Sequence, residues 1–116
     1  MKRAYKPEQA ERLQPLLESI ARELDERSIE IKGLSQTLRR QRETGADEDA
    51  LANTIATLAN ARRELRHAME ELEALGCAAE PGFHTTILIP GPDGDLDTGY
   101  RLDARGQLAA AELEAA

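Results

Sequence analysis

The stretch from Ile89 to Asp103, IPGPDGDLDTGYRLD, sets Asp93, Asp95 and Asp97 at alternate positions inside a glycine-rich turn, a spacing suited to oxygen ligation of a hard cation. A calcium loop of the EF-hand type also needs a glycine at its sixth position and a bidentate glutamate at its twelfth. Counted from Asp93, those positions hold Thr98 and Ala104, and the flanks read as strands. Pro-Asp-Gly reverses a chain without a metal, so the stretch is expected to turn the backbone. Zinc would draw on Cys77, His67 and His84, which lack the close paired spacing of zinc sites. Nucleophilic catalysis needs Cys77 or a serine with an adjacent base and an oxyanion hole. The serines are Ser19, Ser28 and Ser35, all on one helical segment, and no elbow motif surrounds them. No glycine loop of the phosphate-cradling kind is present. The expectation is a protein that is not an enzyme, with no catalytic, cofactor-binding or metal residues.

The arginines carry the remaining chemistry. Arg27 stands between Leu24 and Ile31, and Arg62 between Leu58 and Leu65, each at the middle of an apolar stripe. If the chain reverses near Gly45, Arg27 comes beside Arg62 and Arg63. Buried like charges are very costly. These arginines are expected to reach the rim or to meet Glu23, Glu26, Glu30 or Glu64. The alternative is an anion-binding pocket built from Arg27, Arg62 and Arg63.

Two helices must position them. From Pro7 to about residue 44, Leu13, Leu17, Ile20, Leu24, Ile31, Leu34 and Leu38 recur in steps of three, four or seven, a heptad-like stripe. Leu16 widens that stripe, and Ile29 lies on the far side. Pro15 removes an internal amide and predicts a kink or restart. Gly45 is the natural stop and Asp47 the natural N-cap of a second helix. Residues 47–76 repeat the pattern with Leu51, Ile55, Leu58, Leu65, Met69 and Leu72, closed by Gly76. So short a connection makes the helices antiparallel, a rod of about 40–50 Å.

Residues 82–103 predict a two-stranded β-hairpin. Pairing Ile89 with Leu96, Ile87 with Thr98, Thr85 with Tyr100 and Phe83 with Leu102 gathers the large apolar groups except Leu88 on one face. The tail, residues 104–116, is alanine-rich and is expected to form a short helix or to fray. The predicted fold class is mainly α: a single domain, a long coiled-coil-like antiparallel helical hairpin with a C-terminal two-stranded β-hairpin.

Charged residues are 32% of the 116 and aromatics 3%, a profile of solvated helices more than of a thick core. The net charge of −7 argues against nucleic acid as a partner, since that needs a concentrated basic face. Residues 1–45 hold ten Lys/Arg against eight Asp/Glu, and residues 46–116 five against fourteen. Arg39, Arg40 and Arg42 are read with Asp47, Glu48 and Asp49 as a neutralised junction between helices. No apolar run approaches the length of a membrane span, and the basic start lacks the apolar core of a secretory signal. Cys77 is the only cysteine, which fits a reducing cytoplasm.

The opening YKPEQAERLQPLLESI resembles a bacterial family designated domain of unknown function 2203, whose members begin Phe-Thr-x-Glu-Glu-Ala and continue, three residues on, with Leu-x-Pro. Here Tyr5 stands for the Phe, Glu8, Gln9 and Ala10 for Glu-Glu-Ala, and Leu13 and Pro15 for the Leu and Pro. EELEALG is similar to the family's second-helix ending, so the likeness covers most of residues 5–83. Lys6 replaces the Thr, PGFHTT stands where the family has Gly-Leu-Val-Asp-Phe-Pro, and the later Leu-Cys-Trp and Tyr-Trp-His elements are absent. The resemblance implies a helical hairpin with a β-appendage and no established activity.

The functional expectation is an assembly or interaction module. One seam between two helices buries little, and Ala52, Ala56 and Ala59 form a smooth strip beside it. Two hairpins are therefore expected to pair into a four-helix bundle, a homodimer, with another protein as the alternative partner and no membrane partner. The residues assigned to the seam are Leu24, Ile31, Leu58, Leu65 and Met69, with Arg27 and Arg62 setting register. The rival is a monomer whose own β-segment covers the remaining apolar surface.

Overall fold

Pro7 opens a helix of 38 residues, α1, that runs unbroken to Thr44 in the computed structural model, which describes residues 3–110. A proline in the first turn wastes no hydrogen bond, because that amide has no partner in any helix. The cap position holds Lys6, and Gln9 supports it by accepting the Lys6 N–H through Oε1 at 2.8 Å. The restart expected at Pro15 does not occur. Glu11 and Pro15 are both exposed, so solvent is at hand for the carbonyl that loses its amide. Gly45 ends α1 in the left-handed region (φ 71°), where its N–H meets the Gln41 carbonyl. Asp47 then caps α2, Glu48–Ala74, by accepting the Ala50 N–H at 2.7 Å. The reversal is as short as the sequence suggests, and the helices lie side by side.

The seam between them differs from the expected one. In α2 the buried positions are Thr54, Leu58, Ala61, Ala68 and Leu72, with Leu51 and Leu65 half-buried. The alternate heptad position is thus filled by the small residues Thr54, Ala61 and Ala68, not by Ile55, Arg62 and Met69. Both choices fit the same leucine period, and small side chains let two helix backbones approach more closely. Arg62 consequently lies beside the seam and does not interrupt it. In α1 the series Ala10, Leu17, Ile20 and Leu24 is buried, and Ile31, Leu34 and Leu38 are half-buried.

Four short strands form an antiparallel sheet in chain order, so the two-stranded hairpin was an incomplete expectation: β1 is Ala78–Glu80, β2 Thr86–Ile89, β3 Tyr100–Leu102 and β4 Leu108–Ala110. Residues 108–110 of the tail are therefore strand, neither helix nor frayed end, while residues 111–116 lie outside the described residues. The central register is also corrected. Ile87 pairs with Leu102 and Ile89 with Tyr100, four residues away from the expected partners on β3. A shift of four keeps every side chain on its face, which is why Ile87, Ile89 and Leu102 are still buried together. Phe83 falls outside the paired strands and is 97% exposed. The loop, residues 90–99, is bonded internally. Asp93 accepts the Asp95 N–H at 3.0 Å and the Thr98 hydroxyl at 2.7 Å, so its carboxylate braces the turn.

The sheet covers only one half of the hairpin, here called the root. Its core joins Leu17, Ile20, Leu24, Ala68 and Leu72 of the helices to Ile87, Ile89 and Leu102 of the strands, and takes in no residue between positions 25 and 64. Tyr5 straps the root shut. Its N–H reaches the Gly91 carbonyl at 3.2 Å, its hydroxyl donates to the Leu75 carbonyl at 2.6 Å, and the Tyr100 hydroxyl donates to its own carbonyl at 3.0 Å. The rest of the hairpin, residues 27–64, projects as an arm that the sheet does not cover, and the full length of α1 sets the longest dimension of the molecule, 55 Å.

Burial in this core pushes the Cys77 thiol up from 9.0 to about 11. A pKa raised by folding means that the native state holds the proton more tightly than the unfolded chain. The associated stability is complete below pH 9 and is lost as pH rises to about 11, on the order of 2–3 kcal/mol. Burial raises the Tyr5 and Tyr100 hydroxyls as well, which adds loss in the same direction above pH 10. Urea titrations at pH 8 and pH 11 should show Cys77→Ala losing less stability than the parent between the two. Equal losses in both proteins would contradict the assignment.

Candidate functional site

A polar cleft lies where α1 faces the β1–β2 and β3–β4 connections of the sheet. Glu18, Arg22, Asp25, His84, Asp103 and Arg105 line a cleft of about 300 Å³. Asp25 organises it. One of its oxygens accepts both the Thr85 N–H at 3.0 Å and the Thr85 hydroxyl at 2.8 Å, and the other lies 3.8 Å from His84 Nδ1. The ring of Phe83 meets the His84 imidazole edge-on, with centroids 4.8 Å apart. Gln14 holds the far wall, donating to the Gly106 carbonyl at 2.5 Å and to Glu18 at 3.0 Å. This arrangement is a clamp for the β1–β2 connection. The Thr85 hydroxyl points its proton at Asp25 and not at the imidazole, so the three residues do not form a nucleophile–base relay. The role of Asp25 was hidden in the sequence, since a lone acid on a helix flank has no spacing signature. Only the partner 60 residues away gives it meaning.

The arginines separate into different environments. Arg27 does sit on the seam of α1, and its guanidinium is bound by Glu23 at 2.9 Å and Glu30 at 2.5 Å. The Glu23 hydrogen bond and the field of Glu23, Glu30 and Glu64 raise its pKa further above the ordinary arginine value. Arg63 turns to Asn60, with Nη1 at 3.4 Å from Oδ1. Arg62 instead lines a groove beside the seam with Ser35, Leu38, Arg39, Arg42, Glu43 and Leu58. The structure thus does not bring Arg27, Arg62 and Arg63 to one place. Arg39 and Arg42, read from the sequence as part of a neutralised junction, are the residues that join Arg62. The signal present in the sequence is the series Thr54, Ala61 and Ala68, which shares the seven-residue period and, by taking the seam position, turns Arg62 to its side.

The proposed seam residues fall in two settings. Leu24 and Leu58 are buried, Leu65 and Met69 are half-buried against the root core, and Ile31 is half-buried in the arm. Ile55 is 47% exposed and Ile29 73% exposed, and Ala52, Ala56 and Ala59 are exposed as well. His67 is exposed at a hollow between the helices with Glu23, Glu64 and Glu71, and Glu23 there is engaged by Arg27. Among the described residues no cluster of three or more His, Cys, Asp or Glu is placed to hold a metal ion. Nor is any described helix long and apolar enough to cross a membrane.

No curated protein and no solved structure matches the chain. The family described as "Uncharacterized conserved protein (DUF2203)" matches residues 3–85, a span that takes in the strap at Tyr5, the whole helical hairpin, β1 and the Asp25–Thr85 clamp. With most of its length and the entire hairpin inside that match, the chain belongs to the DUF2203 family.

Proposed function

We propose that the protein is a non-enzymatic interaction module whose hairpin arms associate, two copies forming a four-helix bundle. The observation that carries this reading is the bare arm. The sheet supplies the missing layer at the root, whereas between positions 25 and 64 the helices have only each other, with Ile31, Leu34, Leu38 and Leu51 half-buried and Ile55 half-exposed. Charge favours the arm as the meeting surface. Residues 27–64 hold seven Lys/Arg against six Asp/Glu, while the rest of the chain holds eight against sixteen. Arm-to-arm association joins nearly neutral surfaces, and root-to-root association would join two strongly acidic ones. The carboxylates of Asp25 and Asp93 serve as braces for loops, which suits a scaffold. A single, buried cysteine fits a reducing cytoplasm.

Light scattering across a concentration series tests the reading. The expected mass is twice the 12.8 kDa of one chain. Ile55→Asp should raise the dimer dissociation constant by at least about tenfold, since a carboxylate replaces an apolar contact at the interface. It should leave the monomer folded, because Ile55 is not in the root core. A monomeric mass at every concentration would end the proposal.

A further inference from the structure

We propose that the groove beside the arm's seam, lined by Ser35, Arg39, Arg42 and Arg62 over a floor of Leu38 and Leu58, binds a compact phosphate-type anion carrying two or more charges. The groove is built within one chain, so the proposal does not rest on self-association.

Helix geometry explains why these side chains meet. Every Cα–Cβ bond in an α-helix tilts toward the helix N-terminus. In an antiparallel pair the two tilts oppose each other. Arg39 and Arg42 on α1 lean toward the root and Arg62 on α2 leans toward the tip, so the three converge from opposite directions. Such convergence of like charge is unfavourable unless something offsets it. At other sites the protein supplies the offset itself. Arg27 has Glu23 and Glu30, and Arg101 has Glu80 at 2.9 Å. Among the described residues the Arg39, Arg42 and Arg62 side chains make no ion pair or hydrogen bond, and Glu43 is the one carboxylate on the groove wall. Three guanidinium groups against one carboxylate leave an excess of two positive charges, inside a chain whose net charge is −7.

The donor set selects the ligand. A guanidinium presents a planar fork that matches two oxygens of a phosphate, and forks from two helices can grip separate edges of one group. The Ser35 hydroxyl adds a neutral donor at the same wall. A phosphomonoester or phosphoanhydride carries the two or more charges that balance the excess, whereas a simple carboxylate carries one. The acidic surface elsewhere does not prevent this, because screening limits the reach of those charges to about 10 Å at ordinary ionic strength.

Isothermal titration of the full chain with inorganic pyrophosphate tests the site, with acetate as the singly charged control. Pyrophosphate should bind at least about tenfold more tightly than acetate. The Arg39→Gln/Arg62→Gln double variant should lose at least about tenfold in pyrophosphate affinity. Arg40→Gln, on the same helix but outside the groove, should retain parent affinity, and circular dichroism should show intact helices in both variants. Equal affinity for ADP and pyrophosphate identifies the phosphoanhydride as the whole ligand, and tighter ADP binding identifies a nucleotide held by its phosphates. No pyrophosphate binding, or an equal loss in Arg40→Gln, would overturn the proposal, the latter by reducing the effect to general electrostatics.

Discussion

Leu17→Ala should lower the unfolding free energy by about 3–5 kcal/mol, the cost of removing a fully buried leucine from a core that cannot collapse around the gap. Leu17 is 0% exposed and belongs to the root core with Ile20 of α1, Leu72 of α2 and Ile87 of the sheet. Leu38→Ala, one of the same periodic leucines but out on the arm, should cost about 1 kcal/mol, because its side chain is already partly in water. Urea titration of the two variants beside the parent provides the comparison. Similar costs at both positions would mean that the arm is packed as tightly as the root, which contradicts the described core.

Gly99→Ala should be at least as damaging for a different reason. A β-carbon at Gly99 would stand 1.9 Å from the Ile89 carbonyl oxygen and 2.8 Å from the Gly91 nitrogen. Both neighbours are backbone in the sheet's central connection and have no rotamer to change. The β2–β3 pairing or the loop must therefore shift, at a cost of about 3 kcal/mol or more. Gly33→Ala provides the contrast. Its added methyl meets nothing within 4 Å in the middle of α1, so it should stabilise by about 0.5–1 kcal/mol through helix propensity alone. Thermal melts of the two variants should move in opposite directions. A tolerated Gly99→Ala would show that the close approach of residues 89, 91 and 99 does not hold the register.

The same close approach explains which parts of the fold can be read from the sequence. Pairing Ile89 with Leu96 satisfied the alternation of apolar residues, and so did the true partner Tyr100. Alternation reports the face and leaves the register open by any even number. The register is decided by Gly91 and Gly99, whose lack of side chains lets the strand bases close around a ten-residue loop, and no periodicity records that. The strands Ala78–Glu80 and Leu108–Ala110 were hidden because AAE and LAA have little intrinsic β-preference. Tertiary pairing makes them strands. The helices were readable because each rests on local signals: leucines at heptad spacing, a glycine stop and an aspartate cap. Their relative rotation was not, since Thr54-Ala61-Ala68 and Ile55-Arg62-Met69 share one period and differ only in which residue must be small. That one-position difference released Arg62 from the seam and placed it with Arg39 and Arg42.

The strap at Tyr5 has a kinetic consequence. Its bond with Tyr100 spans 95 positions, and that between Gln14 and Gly106 spans 92, so fastening the root closes nearly the whole described chain into a loop. Helix turns and the tight reversal at Gly45 form from neighbours and need no such search, so the rods assemble first and the sheet docks last. The last-made contacts are also the first to break. Loosening Tyr100 should therefore speed unfolding far more than it slows refolding, leaving a transient species with the hairpin intact and the apolar side of its root open to water.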